Sequence, residues 1–300
     1  FLVFIIKSTC CLAVFYLFYR LLLSRDTFHR FNRMALLGVI VFSIAIPFVQ
    51  LAADEPVAVQ RTALELERFL QMGGTPVEEE SRFPSWLAAL FMIYAGGCLF
   101  FAGRFLYSVC QIVHLIRSGE RAVLEDGTRL VVTDLTVPPF SWMKYIVISR
   151  IDMEESGAEI LAHEQAHIRA CHSLDMWFAG CCAVLHWFNP AVWLLKQELQ
   201  NVHEYEADES VIAHGVDAKH YQLLLIKKAV GAQRFTSMAN SFDHSKLKKR
   251  ITMMLKQKSN PWARLKFLYV LPLAAVAVAA FDRPEISRRL ENISEVEFAE

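Results

Sequence analysis

Residues 160–169 read Ile-Leu-Ala-His-Glu-Gln-Ala-His-Ile-Arg, and the five positions from His163 to His167 form the pattern H-E-x-x-H. Residues four apart share one face of a helix, so His163 and His167 can bind one metal ion together. Glu164, beside the first histidine, can act as a general base on a water molecule. The pattern predicts a helix that carries a zinc site. An ordinary helix with two surface histidines is the alternative.

The third metal ligand is expected downstream, because a catalytic zinc site has three protein ligands and one open position. Residues 201–209 read Asn-Val-His-Glu-Tyr-Glu-Ala-Asp-Glu. Glu204 and Asp208 lie one helical turn apart. We predict Glu204 as the third ligand and Asp208 as the acceptor of a hydrogen bond that fixes the tautomer of a ligand histidine. His203 and Glu206 are rival ligands whose side chains should point elsewhere, and a solvated acidic helix face is the alternative for the whole stretch.

Other polar residues near the motif are expected to have structural roles. His172 is five residues beyond His167 and therefore lies off the ligand face of that helix. Asp175 is expected to cap a helix or to contact a ligand. Three further histidines of this region are expected to be core or surface residues: His186, His214 and His220. Of these, His214 could donate a hydrogen bond to a tetrahedral intermediate.

Apolar residues are concentrated in four long segments. The chain is 54% hydrophobic with a mean hydropathy of +0.30, whereas soluble chains are about 45–50% apolar. Each segment approaches the ~20 residues that cross a bilayer, and the first lacks the cleavage site of a signal peptide. The predicted spans are residues 1–23, 34–52, 85–107 and 265–281. Residues 176–195 are also apolar, but Asn189-Pro190 predicts two core or membrane-surface helices joined by a tight turn.

Charge in the loops predicts the orientation of these spans in a bacterial inner membrane. The 24–33 loop carries three arginines, the 53–84 segment is acidic, and the stretch before the last span is rich in lysine. The positive-inside rule then makes the 24–33 loop and the 108–264 region cytoplasmic. The predicted domains are three spans with an acidic external loop (1–112, loop 53–84), a cytoplasmic zinc peptidase domain (113–263), a fourth span (264–281) and an external acidic tail (282–300).

The cytoplasmic region is predicted to combine a few strands with several helices. A hairpin turn is expected at 124–128, and Tyr145–Ser149 reads as a strand that could pair edge to edge with an extended substrate. The predicted fold class is mainly α, with four transmembrane helices and a cytoplasmic α+β domain. Helices are expected at about 155–170, 173–187, 190–213 and 217–232.

Zero net charge gives no sign of nucleic-acid binding. The seven cysteines include no C-x-x-C pair and lie mostly in apolar segments, so a disulfide framework or a Cys₄ zinc site is not expected.

The order of these motifs resembles the BlaR/MecR-type antirepressor membrane metallopeptidases, in the version found in Bacteroidetes-type bacteria. The similarity covers about residues 1–280, including the four-span layout. It is carried by residues 160–169, His186-Trp187-Phe188-Asn189-Pro190 and 203–209, with Pro139-Phe140-Ser141 before them and Asn240-Ser241-Phe242 and Leu247-Lys248-Lys249-Arg250-Ile251 after them.

This resemblance implies a gluzincin-type zinc domain facing the cytoplasm, with His163, His167 and Glu204 as ligands and Glu164 as the base. It also implies a signal-transducing endopeptidase that removes a transcriptional repressor after an external compound, often a beta-lactam, is sensed. Because few residues follow the last predicted span, no penicillin-binding domain is expected in this chain, and the resemblance alone does not carry antibiotic sensing over to it. The acidic loop 53–84 is the candidate for the outside input.

Two other functions are consistent with the same residues. One is a housekeeping peptidase similar to the CAAX-prenyl-protease-like group, which shares H-E-x-x-H and E-x-x-x-D. The other is a non-catalytic membrane scaffold that relays a signal. The short charged loops and the Trp187–Pro190 run favour the regulatory peptidase, and a relay has no need of Glu164. The expected partners are a protein substrate such as a repressor and membrane lipid, with no direct nucleic-acid contact.

Overall fold

The computed structural model describes residues 2–48, 85–232 and 240–281. The acidic loop 53–84 and the tail 282–300, both predicted to lie outside the membrane, fall beyond these ranges. The described chain is mostly helical with one small sheet, as the sequence predicts.

Four helical stretches of the described residues are long and apolar enough to cross a membrane: Phe4–Leu22, His29–Phe48, Ala88–Ser118 and Pro261–Ala279. The first lies in α1 (Leu2–Leu22), and the second joins α2 (His29–Ala45) to a 3₁₀ turn at Ile46–Phe48. The third lies in α3 (Ser85–Ser118), and the fourth joins a 3₁₀ helix (Pro261–Tyr269) to the final α-helix (Val270–Phe281).

The long helix α3 extends well past the end that the sequence predicts at residue 107. Its 34 residues correspond to about 51 Å, against the ~30 Å of a hydrocarbon core. The last turns pack through Ile112 and Ile116 against the sheet. In these turns the apolar side chains of α3 pack against the sheet instead of facing lipid, and this packing stabilises the helix beyond the predicted end.

The sheet contains β1 (Glu120–Val123), β2 (Arg129–Thr133), β3 (Phe140–Trp142) and β4 (Tyr145–Ser149), in the order β1-β2-β4-β3. Strand β2 is antiparallel to β1 and parallel to β4, and β3 is antiparallel to β4. The predicted turn at 124–128 is confirmed. Gly127 has a φ of +81° there, and the Thr128 N–H donates to Asp126 Oδ1 at 2.9 Å.

The prediction that Tyr145–Ser149 offers an edge to a substrate is wrong. Strand β4 lies between β2 and β3 and is hydrogen-bonded on both sides. The edge strands are β1 and β3, and β3 is a three-residue strand that the sequence interpretation missed. Alternation of side chains places Ile146 and Ile148 against Ile160 on one face of the sheet, and Val147 beside Ile116 of α3 on the other.

The remaining helices are α4 (Arg150–Arg169), α5 (His172–Leu185), α6 (Pro190–Ala213), α7 (Ala218–Ala232) and α8 (Asn240–Leu255). The first four confirm the predicted helices. Helix α4 has an additional N-terminal segment before the predicted start, which Ser149 caps with its Oγ accepting the Asp152 N–H at 3.1 Å. A kink at Ser156, where φ is −157° and ψ is 35°, separates this segment from the predicted helix. Asn189 caps α6 through the Ala191 N–H at 2.9 Å, and Pro190 occupies the first helical position as predicted.

Helices α5 and α6 form a hairpin that packs among the candidate spans. One buried core joins α1 and α2 to this hairpin and includes Phe15, Leu36, Leu195 and Leu199. At the hairpin tip, Trp187 stacks on Phe101 of α3 with ring centroids 5.8 Å apart. The tip therefore lies beside the middle of a candidate span.

Candidate metal centre

Three side chains from two helices converge on one point. Helix α4 places His163 and His167 one turn apart, and their Nε2 atoms are 3.1 Å apart. Helix α6 brings Glu204 to them, with Oε2 3.4 Å from His163 Nε2 and Oε1 3.7 Å from His167 Nε2. Ligands bound at about 2.05 Å around a tetrahedral ion lie ~3.3 Å from one another. The donor set and its spacing therefore fit one divalent metal ion.

The ionisation of His167 and Glu204 suits metal binding. Burial lowers the pKa of His167 to about 2, which keeps this imidazole neutral, the form that coordinates metals. Burial raises the pKa of Glu204, but hydrogen bonding to His163 and the charge of Arg250 outweigh it and hold that pKa well below its usual range. The site thus presents a neutral imidazole and a carboxylate to a cation. Burial lowers the pKa of His163, but the hydrogen bond and the charge of Glu204 outweigh it and raise that pKa overall, so a metal would have to displace a proton there.

A chain of hydrogen bonds holds His163. Its Nδ1 lies 2.8 Å from the Tyr221 hydroxyl oxygen, and this hydroxyl donates to Asp208 Oδ1, also at 2.8 Å. Nδ1–H must therefore donate to the tyrosine oxygen, which leaves the Nε2 lone pair free for a metal. The direct separation of Asp208 Oδ1 and His163 Nδ1 is 3.5 Å. Asp208 thus contacts the histidine mainly through Tyr221, which the sequence interpretation did not identify.

Arg250 of α8 completes this side of the centre. Its guanidinium donates to both Asp208 oxygens, at 2.9 and 2.6 Å, and lies 2.9 Å from Glu204 Oε2. Asp208 is 1% exposed, so the arginine supplies the positive charge that balances a buried carboxylate. The sequence interpretation noted Arg250 only as part of a basic motif.

His167 is held from the opposite side. Its Nδ1 lies 2.7 Å from His172 Nδ1, and His172 Nε2 lies 3.3 Å from Glu206 Oε2. His203 stacks on His172 with ring centroids 4.0 Å apart, and its Nε2 bonds Asp175 Oδ2 at 2.9 Å. His203 and Glu206 therefore point away from the centre, as the sequence predicts for these rivals. Asp175 contacts His203 rather than a ligand, and His172, placed off the ligand face, contacts a ligand directly.

The three other histidines considered from the sequence, His186, His214 and His220, lie outside the centre. His186 is buried in the hairpin core beside Ser8, whose Oγ is 3.0 Å from its Nε2. His214 is exposed and donates to the Ser210 carbonyl, and His220 is exposed near Glu159. No contact described for His214 places it near the three converging side chains.

Glu164 is buried in the wall of a cleft beside the centre. It is 6% exposed, and burial raises its pKa, against the lowering effects of His163 and the Ser141 hydroxyl. The cleft has a volume of about 890 Å³, within the range of ligand-binding sites. Apolar residues of α3, β3, α4, α5, α7 and α8 line it, and α6 contributes polar side chains. A buried carboxylate beside a metal-binding group, at the wall of such a cleft, is the arrangement of a metallopeptidase-type protein.

Comparison with known proteins agrees with this class. Residues 135–254 match the model of the BlaR1 peptidase M56 family. The regulatory protein BlaR1 of Bacillus licheniformis is 26% identical over 136 residues, which are 43% of this chain and 22% of that protein. The two matches support a BlaR/MecR-type membrane peptidase family, as the order of the motifs indicated. The matched region spans about a fifth of the relative's length.

Proposed function

We propose that the protein is a multi-pass membrane zinc endopeptidase of the gluzincin type, which hydrolyses a peptide bond in a cytoplasmic regulator such as a transcriptional repressor when an external signal is received. The convergence of His163, His167 and Glu204 carries this proposal. Two imidazoles and one carboxylate are a usual ligand set of catalytic zinc. Bound there, zinc lowers the pKa of a water molecule and polarises a carbonyl group.

Glu164 is the proposed general base and acid. A raised pKa brings a carboxyl group nearer to neutral pH, where proton transfer in both directions is efficient. It takes a proton from the attacking water and delivers it to the leaving amine. Asp208, acting through Tyr221, keeps His163 in the tautomer that binds the metal.

The free edge of β3 is the proposed binding surface for the substrate backbone. Phe140, Ser141 and Trp142 line the cleft, and the Ser141 side chain is hydrogen-bonded to Glu164. An extended peptide can add to such an edge through main-chain hydrogen bonds. This arrangement favours an unfolded or loop segment of a protein as the substrate.

The arginines of the 24–33 loop and the lysines before the last span favour a cytoplasmic peptidase region (113–263) in a bacterial inner membrane. The relative is named a regulatory protein, which supports a regulatory substrate. Contacts with lipid follow from the four candidate spans, and we propose no direct contact with nucleic acid.

The Glu164→Gln variant tests the proposal. The full chain, purified in detergent, is expected to contain one zinc ion, and the variant to retain it but to lose proteolysis. Glu154→Gln on the exposed face of the same helix is the matched control and should behave as the parent. Comparing new protein termini in cells that carry each form would identify the substrate.

Each result bears on one of the alternatives. Unchanged cleavage by Glu164→Gln would remove the assigned base, and a parent without zinc would refute the enzyme. A parent that binds zinc but produces no termini that Glu164→Gln lacks would favour a signal-relay scaffold.

A further inference from the structure

A continuous line of polar contacts connects a metal-binding histidine to a membrane helix. If His167 binds a metal through Nε2, its Nδ1 carries a hydrogen and donates to His172 Nδ1, 2.7 Å away. His172 must then carry its hydrogen on Nε2, which faces Glu206 Oε2 at 3.3 Å. The two imidazoles are both neutral in this arrangement, and every N–H in the line has an acceptor. His172 is 3% exposed and Glu206 is 9% exposed, so water does not compete for these bonds.

The line ends on Arg33, in the second turn of α2. The Arg33 side chain is only 16% exposed. Its Nη1 lies 3.7 Å from Glu206 Oε2, and its Nε donates to Asp175 Oδ2 at 2.5 Å. Asp175 in turn holds His203, the ring stacked on His172. Arg33, in a candidate membrane span, thus contacts two carboxylates. Glu206 holds His172, and Asp175 holds the stacked ring of His203.

We propose that Arg33, Glu206 and His172 are positioning residues that orient His167 and couple the placement of α2 to metal affinity. The inference rests on the proposed metal site and adds to it a physical connection from the membrane. A ligand histidine whose second nitrogen is bonded keeps its ring orientation and becomes a stronger donor. Shifting α2 relative to α5 and α6 would remove the countercharge of Glu206 and loosen the support of the ligand.

A packing role for His172 is the competing explanation, since its ring fills space beside His203. Two variants separate the explanations. His172→Phe keeps a ring but removes both hydrogen bonds, whereas His172→Asn loses the ring but keeps an oxygen near the position of Nδ1. Positioning predicts a zinc Kd about 10–100-fold higher for His172→Phe and a smaller increase for His172→Asn. The reverse order would overturn the proposal.

Two arginines of α2 provide a matched pair for the membrane end. Arg30 also faces Glu206, at 3.4 Å from Oε1, but its side chain is 88% exposed. An exposed ion pair contributes little because water and salt screen it. Arg33→Gln is therefore expected to raise the zinc Kd by roughly tenfold, a typical effect of a supporting residue, and Arg30→Gln to leave it unchanged. Equal effects of the two variants would refute the assignment of Arg33.

Coupling between the two ends is tested by combining variants. If Arg33 acts through His172, Arg33→Gln causes no further loss of zinc affinity in the His172→Phe background. Independent, additive losses would show that the residues do not form one line. The full chain is used in detergent, with zinc Kd from chelator competition and with the absorption spectrum of the Co²⁺-loaded protein as a second readout of ligand geometry.

These outcomes are distinguishable from failure of the proposed function. A parent chain that binds no zinc contradicts the proposed enzyme. A parent that binds zinc with the same Kd and the same Co²⁺ spectrum as His172→Phe contradicts only the positioning role. If Arg33→Gln does not fold, as judged by circular dichroism, the order of His172→Phe and His172→Asn still decides the question.

Discussion

Replacing Tyr221 with phenylalanine removes one oxygen atom at the point where His163 is supported. The hydroxyl lies 2.8 Å from both His163 Nδ1 and Asp208 Oδ1, and Tyr221 is 2% exposed. Water therefore cannot replace it, and the His163 N–H loses its acceptor at a cost of about 1–3 kcal/mol. Asp208 keeps the two bonds from Arg250. At about 1.4 kcal/mol per tenfold, the expected increase in zinc Kd is about 10–100-fold.

Chelator competition on the purified full chain measures this change. Tyr19→Phe is a matched control, because among the described residues the buried Tyr19 hydroxyl has no hydrogen-bond partner. Its zinc Kd should equal that of the parent. If Tyr221→Phe binds zinc as tightly as the parent while folding normally, the hydroxyl does not fix the histidine, and the argument from the hydrogen-bond chain is wrong.

Three further predictions concern stability. Arg250→Met leaves the Asp208 carboxylate buried without its countercharge and should lower the free energy of unfolding by about 3–5 kcal/mol in denaturant titrations, with part of the loss recovered by adding Asp208→Asn. Gly97→Ala places a methyl group 2.2 Å from a tryptophan ring and should lower the thermal midpoint by an amount equivalent to about 1–3 kcal/mol, whereas Gly96→Ala meets no atom within 4 Å and should not. Burial raises the pKa of Asp175, but hydrogen bonds from a histidine and an arginine outweigh it and lower that pKa overall. The contribution of Asp175 to stability is therefore present above the unfolded pKa of about 3.9 and is lost as the pH falls through the lower folded value. Asp175→Asn should remove this part of the pH dependence of the thermal midpoint.

Each of these has a contrary result. A loss below about 1 kcal/mol for Arg250→Met would class the pair with exposed ion pairs. Equal midpoints for Gly97→Ala and Gly96→Ala would show that the tryptophan does not lie against α3. An acid profile for Asp175→Asn that matches the parent would remove the carboxylate from the stabilising contacts.

The candidate metal ligands could be identified from sequence because the relevant information is local. Spacing of four within one helix defines a face, and this places His163 with His167 without knowledge of the fold. Glu204 required one further inference, that two predicted helices pack together, which α4 and α6 do.

The supporting residues could not be identified in this way. Tyr221 is 58 positions from His163, and Arg250 is 42 positions from Asp208. Nothing in the basic run 246–250 distinguishes the buried arginine from the lysines that precede it.

His172 shows how a correct local argument can fail. It does lie off the ligand face of α4, but the chain reverses at Cys171, whose φ is +57°, and His172 begins a new helix. The reversal brings its ring back to His167. The edge strand β3 was missed for a different reason. It pairs with β4 as a local hairpin through the two residues 143 and 144, but three residues are too few to show a strand pattern in the sequence.

Helices α1, α2, α5 and α6 share one apolar core, so the region predicted as the peptidase domain (113–263) is not an independently folding unit. A fragment starting near residue 113 would expose Leu195 and Leu199 to water and lose the partners that bury them. Truncation of the N-terminal helices would then disturb the candidate metal centre, because α5 and α6 would lose the apolar partners that hold them in place.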